Sequence, residues 1–290
     1  MENKDYNKIN KRRDKRCRFH SGRKEANMLS FKRRNAAVFI LLAAVMLTAC
    51  GRDQPSDARA EEIIHDFWQG DYEYTQTVYS TIGEEQRKLY GETRGKLISD
   101  PYQQYERAAD ASEQGITEQY WYTRDGQVVY NFKAPTADSL NHWTTIQSGV
   151  KGSCVYIKEG QPFVFDREET ISGRKSYVYR ARFEEEYAAD YSRLPEEERN
   201  GVTEIAVPYR MDVEYYIDFS ENEVVRIRID MTGAAKAGEI ANLMFSGMTR
   251  EEAEEQLRQN GTEETYEMFY DIQNFNGPVE INAPQDLEEL

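Results

Sequence analysis

Met211-Asp-Val-Glu-Tyr-Tyr-Ile-Asp-Phe219 and Val225-Arg-Ile-Arg-Ile-Asp-Met231 are the two runs that decide the fold. In the first, the odd positions are apolar or aromatic and the even ones mostly charged; in the second, the odd positions are again apolar. A period of two sends alternate side chains to opposite faces of a strand, so each run has one covered face and one wet face. Residues facing each other across a strand pair share a side of the sheet, so odd must pair with odd. A three-residue loop, Glu221-Asn222-Glu223, satisfies this and predicts Phe219 opposite Val225 and Asp218 opposite Arg226. Asp218 and Asp230 would then face water beside arginines. The same parity predicts Tyr122 opposite Val128 across Arg124-Asp125-Gly126, with Gly126 in a left-handed bulge. A parallel, doubly wound sheet would need near-continuous apolar strands and is disfavoured.

On either side of this hairpin, short runs rich in aromatic and β-branched residues are bounded by Gly, Pro, Asp or Ser. They predict strands at 72–79, 88–98, 102–109, 116–122, 128–132, 143–146, 155–157, 163–165, 177–183 and 266–272. Ala60, Ile63, Ile64, Phe67 and Trp68 recur at helical spacing from Ala58, with Gly70 as the stop. Residues 184–208, with Glu184-Glu-Glu186 and Leu194-Pro-Glu-Glu-Glu-Arg199, read as a polar surface loop with a helical turn after Pro195. A helix is predicted within Ala237–Phe245, and Thr249-Arg-Glu-Glu252 fits a capping box opening a second over 250–259.

The leader is equally legible. Lys32-Arg33-Arg34 precedes the apolar run Ala36–Leu47, which is well short of the roughly 20 residues that span a bilayer. Leu47-Thr48-Ala49-Cys50 resembles the lipobox of bacterial lipoproteins. That resemblance implies diacylglycerol on the Cys50 thiol, cleavage between Ala49 and Cys50, and a protein anchored to the cell membrane on its extracytoplasmic face. Residues 1–49 are thus expected to be a lipoprotein signal peptide, with Met28 an alternative start. Residues 50–57 would be a tether, 58–284 a single domain, and 285–290 a tail.

Residues 50–290 hold 24 basic and 48 acidic side chains. Such a domain is a poor partner for nucleic acid or for anionic headgroups, so the lipid must hold it at the membrane. Beyond the leader Cys154 is the one cysteine left, which reads as a small core residue. His65 and His142 lack partners at metal-ligand spacing, and neither a His-Glu-x-x-His motif nor a Gly-x-Ser-x-Gly elbow occurs. Gly91 and Gly95 read as strand glycines serving curvature or close packing. No catalytic residue, cofactor or metal is nominated, and the reading is not an enzyme.

A lipobox, an amphipathic helix, a long antiparallel meander, a helical insertion before the last strand, the hairpin 215–226 and Val279-Glu-Ile-Asn-Ala-Pro284 together resemble the LolA/LppX-type half-barrel lipoproteins. The resemblance implies a mainly β (α+β) fold: a strongly curved antiparallel sheet with the N-terminal helix and the insertion packed on its concave face. It also implies that the gap between sheet and helices can hold a lipid or other hydrophobic ligand. Tyrosines alternate along several strands, and their amphipathic rings suit either such a ligand or an ordinary core beneath the helices. The ligand reading nominates Phe67, Trp68, Tyr120, Tyr122, Tyr130, Tyr177, Tyr179, Tyr215 and Tyr266. The alternative is a non-enzymatic lipoprotein that docks another envelope protein through its acidic outer face.

Overall fold

Eleven antiparallel strands form one open sheet in the order β6-β5-β4-β3-β2-β1-β11-β10-β9-β8-β7. In a computed structural model of the chain, the described residues are 55–83, 87–110, 116–133, 143–147, 161–192, 196–198, 201–260 and 264–287. They fall in one unit, Pro55–Leu290. The leader, Cys50, His142, Cys154 and the strand expected at 155–157 lie outside them. In chain order the elements are α1 (Asp57–Gln69), β1 (Tyr72–Ile82), β2 (Lys88–Ser99), β3 (Tyr102–Asp110), β4 (Ile116–Arg124), β5 (Gln127–Lys133) and β6 (Thr144–Gln147). Then come β7 (Val164–Ile171), β8 (Arg174–Asp190), β9 (Glu204–Asp218), β10 (Glu223–Asp230), α2 (Thr232–Phe245), α3 (Arg250–Asn260) and β11 (Glu264–Gln273).

Helix α1 is capped by Ser56, whose hydroxyl accepts from the Arg59 amide, and ends at Gly70. It buries Ala60, Ile63, Ile64 and Phe67 completely, worth about 2 kcal/mol for each large side chain. The core under it includes Leu97 of β2, Tyr102 of β3, Trp121 of β4 and Val128 of β5, as well as Tyr179 of β8 and Tyr215 of β9. Strands stack about 4.8 Å apart, so eleven laid flat would spread far beyond one helix roughly 10 Å wide. The sheet wraps around α1 as an open half-barrel. Helix α2 rests on the same face, where Ala237 and Ala241 cover Ile205 and Val207 of β9. The expected architecture is the one observed.

Three local expectations need correction. The β9–β10 pair places Glu223 opposite Asp218 and Ile227 opposite Tyr215, with a bulge between Val224 and Arg226. Beyond the bulge odd faces odd, displaced from the predicted register; on the turn side of it odd faces even, so Val224 and not Val225 shares the covered face with Ile217. Asp218 is the cause: its carboxylate accepts from the Ser220 amide at 2.9 Å, and Asn222 takes a left-handed φ of 56°, which sets a four-residue turn. Asp218 is also 5 % exposed and bound by Arg174 at 2.8 Å, so it does not face water.

The β4–β5 turn is Asp125-Gly126 alone, with φ of 52° and 76°, the pairing that tight hairpins favour. Tyr122 therefore faces Val129, not Val128. Finally, residues 184–190 and 204–208, expected in a surface loop, belong to the sheet. Glu184 to Asp190 pair with Arg210 to Glu204, and only a 3₁₀ turn at Glu196–Glu198 is described between them. The stretch looks polar because its even side chains face water, while Ile205 and Val207 are covered by α2.

After β11 the chain returns across the outer face. Lys96 of β2 donates to the Glu280 carbonyl at 3.5 Å, and Asp286 accepts from Trp143 at 2.9 Å and from Lys133 of β5.

Candidate functional site

The sheet register lets the inner face be read straight across. One row runs Tyr179, Tyr215, Ile227, Tyr270, Gln76, Thr93, Ala108, Thr117, from β8 through β11 to β1 and on to β4. The first four are buried under the helices. The last four are small or polar and half-buried. Among the described residues the helices pack chiefly on β8 to β11, which leaves the β1–β4 part of the inner face as a trough with a low floor. Val78 and Met268, paired across β1 and β11, flank it and are also half-buried.

At the trough's lower edge lies a polar cluster centred on Glu106. Tyr74 donates to its carboxylate, Gln104 Nε2 donates at 2.7 Å, and Gln119 Nε2 approaches at 3.5 Å. Tyr102 donates to Gln104 at 2.6 Å and Tyr130 to Gln119 at 2.7 Å. Burial pushes the Glu106 carboxyl above its ordinary range, and the hydrogen bonds from Tyr74 and Gln104 pull part of the way back. Burial also raises the Tyr130 phenol, helped by the nearby Glu106 charge. Gly95 makes the cluster possible. A Cβ there would lie 2.1 Å from Tyr74 Cζ, so only glycine lets that ring lie flat along the sheet and reach Glu106. The expected role of Gly95, close packing, has a specific partner.

The nominated aromatic residues divide into three groups. Phe67, Tyr179 and Tyr215 are fully buried, and Trp68 meets Phe67 and Tyr215 edge-on at 4.9 and 6.5 Å. Tyr177 joins them through Phe219 at 5.3 Å. This group is packed core. Tyr130 stacks on Trp121 at 4.7 Å on the inner face beside the Glu106 cluster, while Tyr266 meets Tyr90 edge-on at the far end of β11. Tyr120 and Tyr122 lie on the outer face, because the two-residue turn pairs Trp121, not Tyr120, with Tyr130. A shift of one residue in pairing exchanges the faces. Gln76, Thr93, Gln104, Glu106, Ala108 and Gln119 were not nominated; their signal is small or polar residues at alternate positions facing a glycine-bearing strand.

The outer face of β7 to β10 is a network of ion pairs. Glu214, 1 % exposed, receives Arg180 at 2.7 Å, Arg167 at 3.0 Å and Arg228 at 3.2 Å. Asp212 pairs with Arg182, Asp271 with Arg226, and Glu267 with Arg228. Among the described residues, no group of three or more His, Cys, Asp or Glu is arranged to hold a metal ion, and His65 is exposed. No helix among them is long and apolar enough to cross a membrane.

Fold and site together define an open antiparallel half-barrel with helices on one part of its concave face and a half-open trough on the other. No family model matches the chain, and no curated protein sequence matches it. Among solved structures, the lipoprotein LppX of Mycobacterium tuberculosis is similar over 78 % of this chain and 97 % of its own, at 12 % identity and a TM-score of 0.37. LprF of Mycobacterium bovis is similar over 79 % of this chain and 98 % of its own, at 12 % identity and a TM-score of 0.36. Likeness at this level says nothing of ligand or role.

Proposed function

We propose that this chain is an envelope lipoprotein, anchored through acyl chains on Cys50 to the extracytoplasmic face of the cell membrane, that binds or carries a hydrophobic or amphipathic ligand in the trough of β1 to β4. The observation that carries the reading is the change along one inner-face row from buried aromatic and aliphatic residues to half-buried Gln76, Thr93, Ala108 and Thr117. An apolar tail laid along Val78, Ala108 and Met268 would leave water at roughly 25 cal/mol per Å². The hydroxyls of Thr93 and Thr117 and the amide of Gln76 would meet the ligand's polar groups. The ligand site is therefore beside the aromatic core, with Tyr130 at its edge. Docking of an envelope protein on the outer face is less well supported, since Glu214, Asp212, Glu267 and Asp271 are engaged by arginines of this chain.

The test is native mass spectrometry of the protein purified from its own membranes, followed by organic extraction. A discrete added mass that extracts as a lipid is the expected result. A bare mass that stays bare after incubation with envelope lipids would overturn the reading.

A further inference from the structure

A second cleft, of about 550 Å³, lies between the far ends of β8 and β9 and the helices α2 and α3. Its floor is apolar, made by Pro208, Tyr209, Ala237 and Ile240. Its charged lining comes from several elements: Arg210 from β9, Lys236 from α2, Arg250 from α3, with Glu184 of β8 and Glu254 of α3. Cations outnumber anions here, in a domain where residues 50–290 carry two acids for every base. The volume falls within the range of small-molecule sites, about 300–1,000 Å³.

We infer that this cleft binds a small anionic amphiphile, an alkyl or acyl chain ending in a phosphate or carboxylate. Lys236 pairs with no carboxylate among the described residues and lies one helical turn from Ile240, so its ammonium and the apolar floor are neighbours. Arg210 is paired with Glu184 at 3.1 Å, but the two side chains are 73 % and 74 % exposed. An ion pair that open to water is weak, and its guanidinium can turn to an incoming anion at little cost. Arg250 is held by Glu254 at 2.8 Å within its own helix, which fixes the third cation of the lining. An anionic head among Arg210, Lys236 and Arg250 leaves its chain over Tyr209 and Ile240. The site shares no lining residue with the trough.

The test is calorimetric titration of the full chain in neutral detergent with hexyl phosphate, inorganic phosphate and hexanol. Hexyl phosphate should bind saturably at one site, inorganic phosphate at least tenfold more weakly, and hexanol without saturation. Lys236→Glu and Arg250→Ala, both at the protein surface, should each weaken hexyl phosphate binding, the first at least tenfold, with the circular dichroism spectrum unchanged. Equal affinity for inorganic and hexyl phosphate would overturn the amphiphile assignment by removing any role for the floor. Binding unchanged in Lys236→Glu, or no saturable binding at all, would overturn the site.

Discussion

Glu214→Gln is the sharpest test of the forces holding the half-barrel together. The carboxylate is at the centre of the outer face of β9, 1 % exposed, with Arg180, Arg167 and Arg228 at 2.7, 3.0 and 3.2 Å and the Tyr216 hydroxyl donating at 3.0 Å. Burial alone would raise its pKa. Hydrogen bonds from Arg167 and Arg180 and the charge of Arg228 outweigh burial and bring it down from 4.5 to about 2. The folded value is below the unfolded one, so the contribution to stability is complete above about pH 4.5 and is lost as pH falls through about 2. A depression of that size amounts to about 3 kcal/mol at pH 7 and about 1 kcal/mol at pH 3. Glutamine keeps the shape and removes the charge. The three guanidinium side chains are 41 %, 37 % and 27 % exposed, so they can be partly rehydrated. That keeps the loss at the low end of the roughly 3–5 kcal/mol for breaking a buried pair. Urea unfolding followed by tryptophan fluorescence should give a loss of about 3 kcal/mol at pH 7 that shrinks to about 1 kcal/mol at pH 3. A loss under about 1 kcal/mol at pH 7, or one of equal size at both pH values, would refute the account.

Other outcomes follow from the same structure. Gly95→Ala drives a methyl into the Tyr74 ring and should cost about 1–3 kcal/mol; an unchanged unfolding midpoint would mean that the ring has room to move. For Glu106→Gln, the raised carboxyl pKa sets the sign: ionisation in place is penalised, so wild-type stability falls as pH climbs through the carboxylate range. The variant should therefore gain on the wild type between pH 4 and pH 7 in parallel urea titrations, and a difference that stays flat with pH contradicts this. Thr249→Ala removes the two bonds its hydroxyl makes, donated to the Glu252 carboxylate and accepted from the Glu252 amide, at the start of α3 and should cost about 1 kcal/mol, read as faster amide exchange confined to α3. Ala108→Trp fills the trough from a half-buried position, so native mass spectrometry should show the lipid lost while the melting temperature holds within a few degrees. Retained lipid would move the ligand out of the trough.

The faces of the strands were legible in the sequence; the offsets between strands were not. Odd faces odd between β9 and β10 only beyond the bulge near Val225, where Ile227 faces Tyr215; on the side of the turn bound by Asp218, Val224 faces Ile217 and the faces of β10 are exchanged. Parity constrains a sum only to even or odd, and a bulge shifts it by one. At Asp125-Gly126 the prediction of faces failed as well. Both residues take left-handed φ, the turn needs no third residue, and the pairing of β4 with β5 moves by one place. The long β8–β9 extension was hidden for another reason. Among the described residues α2 covers it on one side, so its sequence carries the apolar residues of that side and the charges of the wet one.

The site was harder to see, because aromatic abundance marks where a sheet is full. Phe67 of α1 packs into one core with Tyr179 and Tyr215 of the sheet, and a residue with no exposed surface has none to offer a ligand. Room is made by what is missing: no side chain at Gly91, a methyl at Ala108, short hydroxyls at Thr93 and Thr117. Those residues are spread over β2, β3 and β4, and only the register brings them into neighbouring rows. In β3 the inward positions are Gln104, Glu106 and Ala108, a polar set facing inward where alternation would place apolar residues. A fold that needed β3 only as wall would hold Leu or Val at those positions. Keeping a half-buried carboxyl there, with Tyr74, Gln104 and Gln119 gathered around it, works against stability, and such departures from local rules collect where a surface has something other than packing to do.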